Sequence, residues 1–150
     1  MGTRIFSNLM SISIEKLKAK TTEYRVGSPV KVNGNRTYVK SVPDKKGTIS
    51  GYQIANDATI YPKTSLAPIP IEDSFFQRHS DIFQNNNGVY ECRNKGHVIS
   101  VEPKSVCYID RTEYGQVQQH ELVNILEEVC EIHLSVPDLP SSNDIKVQGA

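Results

Sequence analysis

The sequence predicts an α+β protein: a small SH3-like β-barrel over residues 25–71, followed by an α+β lobe over residues 72–136 in which a C-terminal helix covers a three-stranded antiparallel sheet. Three observations predict it. Runs rich in β-branched residues flank Asn33-Gly34, and Asn-Gly is a strong two-residue hairpin signal because both positions need φ > 0. The stretch Leu66 to Ile71 carries the alternating prolines Pro68 and Pro70 and runs into the acidic helix start Glu72-Asp73-Ser74. Near the C-terminus, Leu122, Ile125, Leu126 and Val129 recur at three- and four-residue steps and form one apolar stripe.

Each element follows from local chemistry. Residues 1–24 are expected as an N-terminal lead, with a short helix over Ile14 to Lys20. Strands are expected at Arg25 to Val32 and Arg36 to Val42, with Pro29 marking an edge strand or a bulge. Further strands are expected at Thr48 to Ile54 and Ala58 to Tyr61, and the chain leaves the barrel along Leu66 to Ile71. The two prolines fix φ and delete two donors, so Ile69 and Ile71 read as extended, polyproline-like backbone. A helix over Glu72 to His79 carries Phe75 and Phe76. Asn85-Asn86-Asn87-Gly88 reads as a turn, Val89 to Arg93 and His97 to Glu102 as a hairpin, and Lys104 to Asp110 as the third strand. On the last helix Glu121, Asn124, Glu127, Glu128 and Glu131 are expected to face water. Residues 137–150 read as a flexible tail.

A zero net charge conceals an asymmetry. Residues 1–50 carry ten Lys and Arg against three acids, and the remaining residues carry seven against fourteen. Such a basic front and acidic back make two partner surfaces or one internal pair. No apolar run approaches a membrane span, and no secretory leader is evident, so a cytoplasmic protein without membrane contact is expected. Cys92, Cys107 and Cys130 are widely spaced and form no CxxC pair, which suits reduced thiols packed as small apolar groups.

Neither GxxxxGK[ST], GxGxxG nor GxSxG occurs, and His79, His97, His120 and His133 read as ordinary histidines. No catalytic residue, cofactor or metal is therefore expected. The densest polar cluster is Tyr108, Asp110, Arg111 and Glu113, at a strand end leading into a loop. With Glu121, Glu127, Glu128 and Glu131 it forms the candidate partner-binding surface. The alternative is a nucleic-acid surface of Lys31, Arg36, Tyr38, Lys40, Lys45 and Lys46, with Tyr24 and Tyr52 as further stacking partners.

The segments VGSPVKVNGN, LAPIPIEDSFF, NNNGVYE and QQHELVNILEEV, in that order, resemble a family of small proteins common in phages and prophages of the Bacteroides group of bacteria. The resemblance spans Arg25 to Leu134 and implies a mobile-element origin and a barrel followed by an α+β lobe; it supplies no catalytic residues. The expected function is thus a non-enzymatic phage or mobile-element accessory protein that binds and inhibits or modulates a host protein, including a nucleic-acid-guided defence nuclease in the manner of an anti-CRISPR protein. The alternative is a nucleic-acid-binding accessory module.

Overall fold

A computed structural model describes residues 13–44, 46, 50–102 and 105–134. The lead expected over 1–11 and the tail over 137–150 lie outside these residues. The first element is helix α1, Ile14–Thr21, whose N-cap Ser13 accepts from the Lys16 amide. Glu15 in its first turn and Lys18 and Lys20 in its last complement the helix dipole.

Strands β1 (Pro29–Val32) and β2 (Asn35–Ser41) form the expected hairpin, with Asn33 and Gly34 at φ 53° and 79°. The right-handed twist of the strands favours this turn. Pro29 is not on an edge strand, because β1 lies between β2 and β4 (Leu66–Pro68). The proline is tolerated because it is the first strand residue and pairing to β4 begins only at Val30. Strand β3 is confined to Gln53–Ile54; Thr48 and Ile49, expected in the same strand, lie outside the described residues. Ala58 to Tyr61 forms no strand but a single bridge, Tyr52 to Tyr61, closed by two 2.8 Å hydrogen bonds. Gly51 permits that approach, since a Cβ there would lie 2.6 Å from the Tyr61 carbonyl oxygen.

The order β3-β2-β1-β4 is an open sheet, and among the described residues no closed barrel forms. Edge strands of two and three residues offer few ladder bonds with which to meet each other, and Pro68 and Pro70 remove two donors.

The second sheet is a meander, β5-β6-β7-β8-β9. It comprises β5 (Gln84–Asn86), β6 (Val89–Asn94), β7 (His97–Glu102), β8 (Val106–Ile109) and β9 (Thr112–Gln116). Five strands replace the expected three. Helix α2, Asp73–Arg78, inserts Phe75 and Phe76 into the core, and helix α3, Gln119–Cys130, covers the sheet. The apolar stripe of α3 is buried as its periodicity requires. Asn124, expected in water, is buried as well. α1 packs against α3, and its Leu17 joins the larger core with Phe75, Ile99, Leu122 and Ile125. A smaller core of Val30, Val32, Val39, Tyr52, Ile54 and Leu66 lines the first sheet.

The proline segment between the sheets is clamped. The Ile69 carbonyl accepts from the Gln119 amide at 2.8 Å, and the Pro70 carbonyl accepts from Gln119 Nε2 at 3.0 Å. Carbonyls left without a ladder partner are thereby satisfied at the N-terminus of α3, and Ile69 is buried.

Candidate interaction surface

Strand alternation sends Cys92, Ile99, Val101, Cys107 and Ile109 to the helix-covered side of the second sheet. Their neighbours face the other way. Gln84, Glu91, Ser100, Tyr108 and Glu113 are successive cross-strand partners, so one row of polar side chains crosses all five strands on the outer face. Glu102 and Val106 pair in the adjacent row. Ser100, Val106 and Tyr108 are half-exposed, and Glu102 and Glu113 are exposed.

Glu102 is the largest influence on Tyr108 and, with burial and Glu113, pushes its phenol above the ordinary value. The ring therefore sits in a negative field and keeps its proton. Glu91 is held by Asn86 Nδ2 at 2.8 Å and by Arg93 at 3.6 Å. Of the residues predicted from sequence, the fold brings Tyr108 and Glu113 together on this face. Glu91, Ser100 and Glu102 join them unannounced, although the alternation in VYECRN and HVISVE carries the signal.

The other predicted acids do not form a continuous free patch. Asp110 and Arg111 are the two-residue turn of the β8–β9 hairpin, with φ 50° and 72°. The Asp110 carboxylate accepts from the Val98 amide at 2.8 Å and lies 2.6 Å from His97 Nδ1, so it ties that turn to β7. Glu121 accepts from the Gln118 amide at 2.9 Å in a capping box. Glu127 and Glu128 meet Arg25 at 2.5 and 2.8 Å, and Glu127 also meets His133 at 2.9 Å. Glu131 ends the helix in a left-handed conformation and is exposed. Basic front and acidic back thus pair internally through Arg25.

On the first sheet, alternation places Lys31, Arg36, Tyr38 and Lys40 on the face opposite Val30, Val32 and Val39. Arg36 is engaged by Glu72 through two 2.8 Å hydrogen bonds, which hold the Glu72 carboxyl below the usual carboxylate range. Tyr24 and Tyr52 are not on this face; their rings pack edge to face 6.0 Å apart, against the small core. Lys46 lies in the following turn, and Lys45 lies outside the described residues.

A second polar cluster joins α1 to α3. Thr21 Oγ1 and the Tyr114 hydroxyl are 2.7 Å apart, and Asn124 Nδ2 donates to the Thr21 and Glu23 carbonyls at 2.8 Å each. His120 Nε2 lies 3.1 Å from the Thr22 carbonyl, and its Nδ1 is buried without a partner. The imidazole therefore donates through Nε2 and is neutral. Burial lowers the His120 pKa from 6.5, and burial followed by the Arg78 charge lowers that of His79. Because the folded state resists these protons and the unfolded chain does not, stability is complete above about pH 6.5 and declines as pH falls through the window below it. The urea midpoint is expected to fall across that window, and His120→Gln, which keeps an amide donor, is expected to flatten the slope.

Among the described residues no group of three or more His, Cys, Asp or Glu side chains is arranged to hold a metal ion. No described helix is long and apolar enough to cross a membrane. No protein-family model matches the chain, and neither a curated protein nor a solved structure matches it significantly.

Proposed function

We propose that the protein is a non-catalytic binding protein that occupies a cationic surface of a partner protein with the outer face of its five-stranded sheet. The observation that carries this reading is the position of Tyr108, an aromatic ring in the central row with the carboxylates of Glu102 and Glu113 acting on it. A guanidinium or ammonium over such a ring gains cation–π attraction and carboxylate partners together. Tyrosine near the centre of a contact is also a frequent source of binding energy. Glu121, Glu127 and Glu128 are left out because the helix cap and Arg25 engage them. The resemblance to phage proteins supplies the partner to test first, a host protein with a basic groove such as a defence nuclease.

The test is capture of partner from nuclease-treated host lysate on the wild-type protein and on two variants. Tyr108→Ala is expected to weaken the complex at least about tenfold, the equivalent of ~1.4 kcal/mol. The double substitution Glu102→Lys and Glu113→Lys is expected to abolish it. Equal retention by all three proteins would remove this face from the function.

A second reading is favoured by the alignment of Lys31, Tyr38 and Lys40 on the first sheet. It makes that face a single-strand nucleic-acid surface, whose affinity would fall steeply with salt. Salt-independent or absent binding of an oligonucleotide would dismiss it.

A further inference from the structure

Among the described residues, His120 Nδ1 is the one buried side-chain nitrogen or oxygen with no hydrogen-bond partner. The residue is 6% exposed and sits in the first turn of α3, against the segment that follows α1. Its Nε2 lies 3.1 Å from the Thr22 carbonyl, and the Tyr24 ring lies 4.6 Å away, tilted by 47°. A carbonyl only accepts, so Nε2 carries the proton and Nδ1 presents a bare lone pair. A second proton has one place to go, and there it meets no acceptor.

The charged groups around the ring do not repair this. Burial is the largest influence and lowers the His120 pKa from 6.5; the Thr22 bond, Glu121 and Glu23 oppose it, and Lys63 adds to it. Glu121 already accepts from the Gln118 amide, and Glu23 lies 3.5 Å from Lys63. Tyr24 is itself packed edge to face on Tyr52. The element beside the ring is lightly attached. Helix α1 buries only Leu17 and Thr21, and eight residues are too few for a helix to persist alone in water. Its other ties are polar: Thr21 to the Tyr114 hydroxyl, Asn124 to the Thr21 and Glu23 carbonyls, and Arg25 to Glu127 and Glu128.

We propose that His120 is an acid-operated latch: protonation at Nδ1 lifts α1 and the chain as far as Arg25 off α3 while both sheets stay folded. Opening gives the new N–H water as an acceptor, which the closed form does not. Protons therefore favour the open form from about pH 6.5 downward, until the closed form takes up the proton itself. Release parts Arg25 from Glu127 and Glu128, since Arg25 Nη2 is also held by the Lys20 carbonyl of α1. His133, 2.9 Å from Glu127, competes for that carboxylate, so Glu128 is the acid left unpaired. The switch thus uncovers an anionic position on α3, on the other side of the sheet from Tyr108 and independent of that residue's role.

The test measures amide-exchange protection factors in the full chain from about pH 7.5 to about pH 5, beside an NMR titration of the His120 ring. Protection from Leu17 to Thr21 is expected to lie below that of β6–β8 throughout and to fall by up to about tenfold per pH unit below 6.5. The ring should show the Nε2–H tautomer at the upper end and titrate with a midpoint below 6.5. His120→Gln, which keeps an uncharged donor for Thr22, should remove the pH dependence from α1. The wild-type titration decides the matter even where that variant fails to fold. Four results would each overturn the proposal: equal protection of α1 and β6–β8 at every pH, α1 protection that ignores pH, an unchanged slope in the variant, or a His120 midpoint at or above 6.5.

Discussion

Phe75→Ala is expected to lower the free energy of unfolding by about 3–5 kcal/mol, the range for truncating a buried aromatic side chain. The ring is 2% exposed and meets Phe76 edge to face at 5.5 Å, His79 at 4.9 Å and Phe83 at 6.4 Å. Helix α2 has only six residues and no side-chain cap, far below the length at which a helix is stable in water. Its structure depends on what Phe75 and Phe76 bury. Removing one ring leaves a cavity that the sheet on the other side, itself filled by Ile99 and Ile109, has little freedom to close. Against a typical stability of about 5–15 kcal/mol, that is a large fraction. Urea unfolding should show a lower midpoint at an unchanged slope. A loss below about 1 kcal/mol would mean that Phe75 is not packed in the core.

The sequence signals that proved informative are local, and those that misled are long-range. Asn33-Gly34 announces its hairpin because glycine relieves the left-handed strain at the second turn position. The β8–β9 hairpin has no such mark. Asp110 and Arg111 both take positive φ, a cost of about 1–2 kcal/mol per residue. It is offset by Asp110 bonds to His97 and Val98, which no local reading of the turn contains. Strand β5 was hidden for a related reason: Gln84-Asn85-Asn86 has the composition of a loop and gains its conformation from pairing with β6. The proposed contact face was half legible. Tyr108 and Glu113 stand out in the sequence, but their union with Glu91, Ser100 and Glu102 depends on register across five strands. The charge asymmetry was real in the sequence, and its partial cancellation by Arg25 depends on residues about a hundred positions away.

Asn124→Leu is expected to cost about 2–4 kcal/mol, although leucine keeps the branched shape of the asparagine side chain. Helical periodicity assigned this position to water because it lies opposite the stripe of Leu122, Ile125, Leu126 and Val129. The docking of α1 reverses that, since its C-terminal carbonyls need donors and α3 is the element that lies against them. A single amide group supplies both the Thr21 and the Glu23 carbonyl. Leucine would leave these acceptors without the amide, at about 1–3 kcal/mol for each one that stays buried. Apolar burial by the new side chain recovers part of this, which sets the net figure below the sum. The effect should be concentrated in α1: amide exchange from Leu17 to Thr21 is expected to accelerate, while the β6–β8 amides slow-exchanging in the wild type change only with global stability. Release of α1 would also free Arg25 from Glu127 and Glu128, because its Nη2 is held at the same time by the Lys20 carbonyl at the end of that helix. An Asn124→Leu protein with wild-type exchange in α1 would show that the amide is not what holds the helix. Faster exchange without loss of the sheet would instead make α1 a separately dissociable cover, whose seating sets whether Glu127 and Glu128 are paired or exposed.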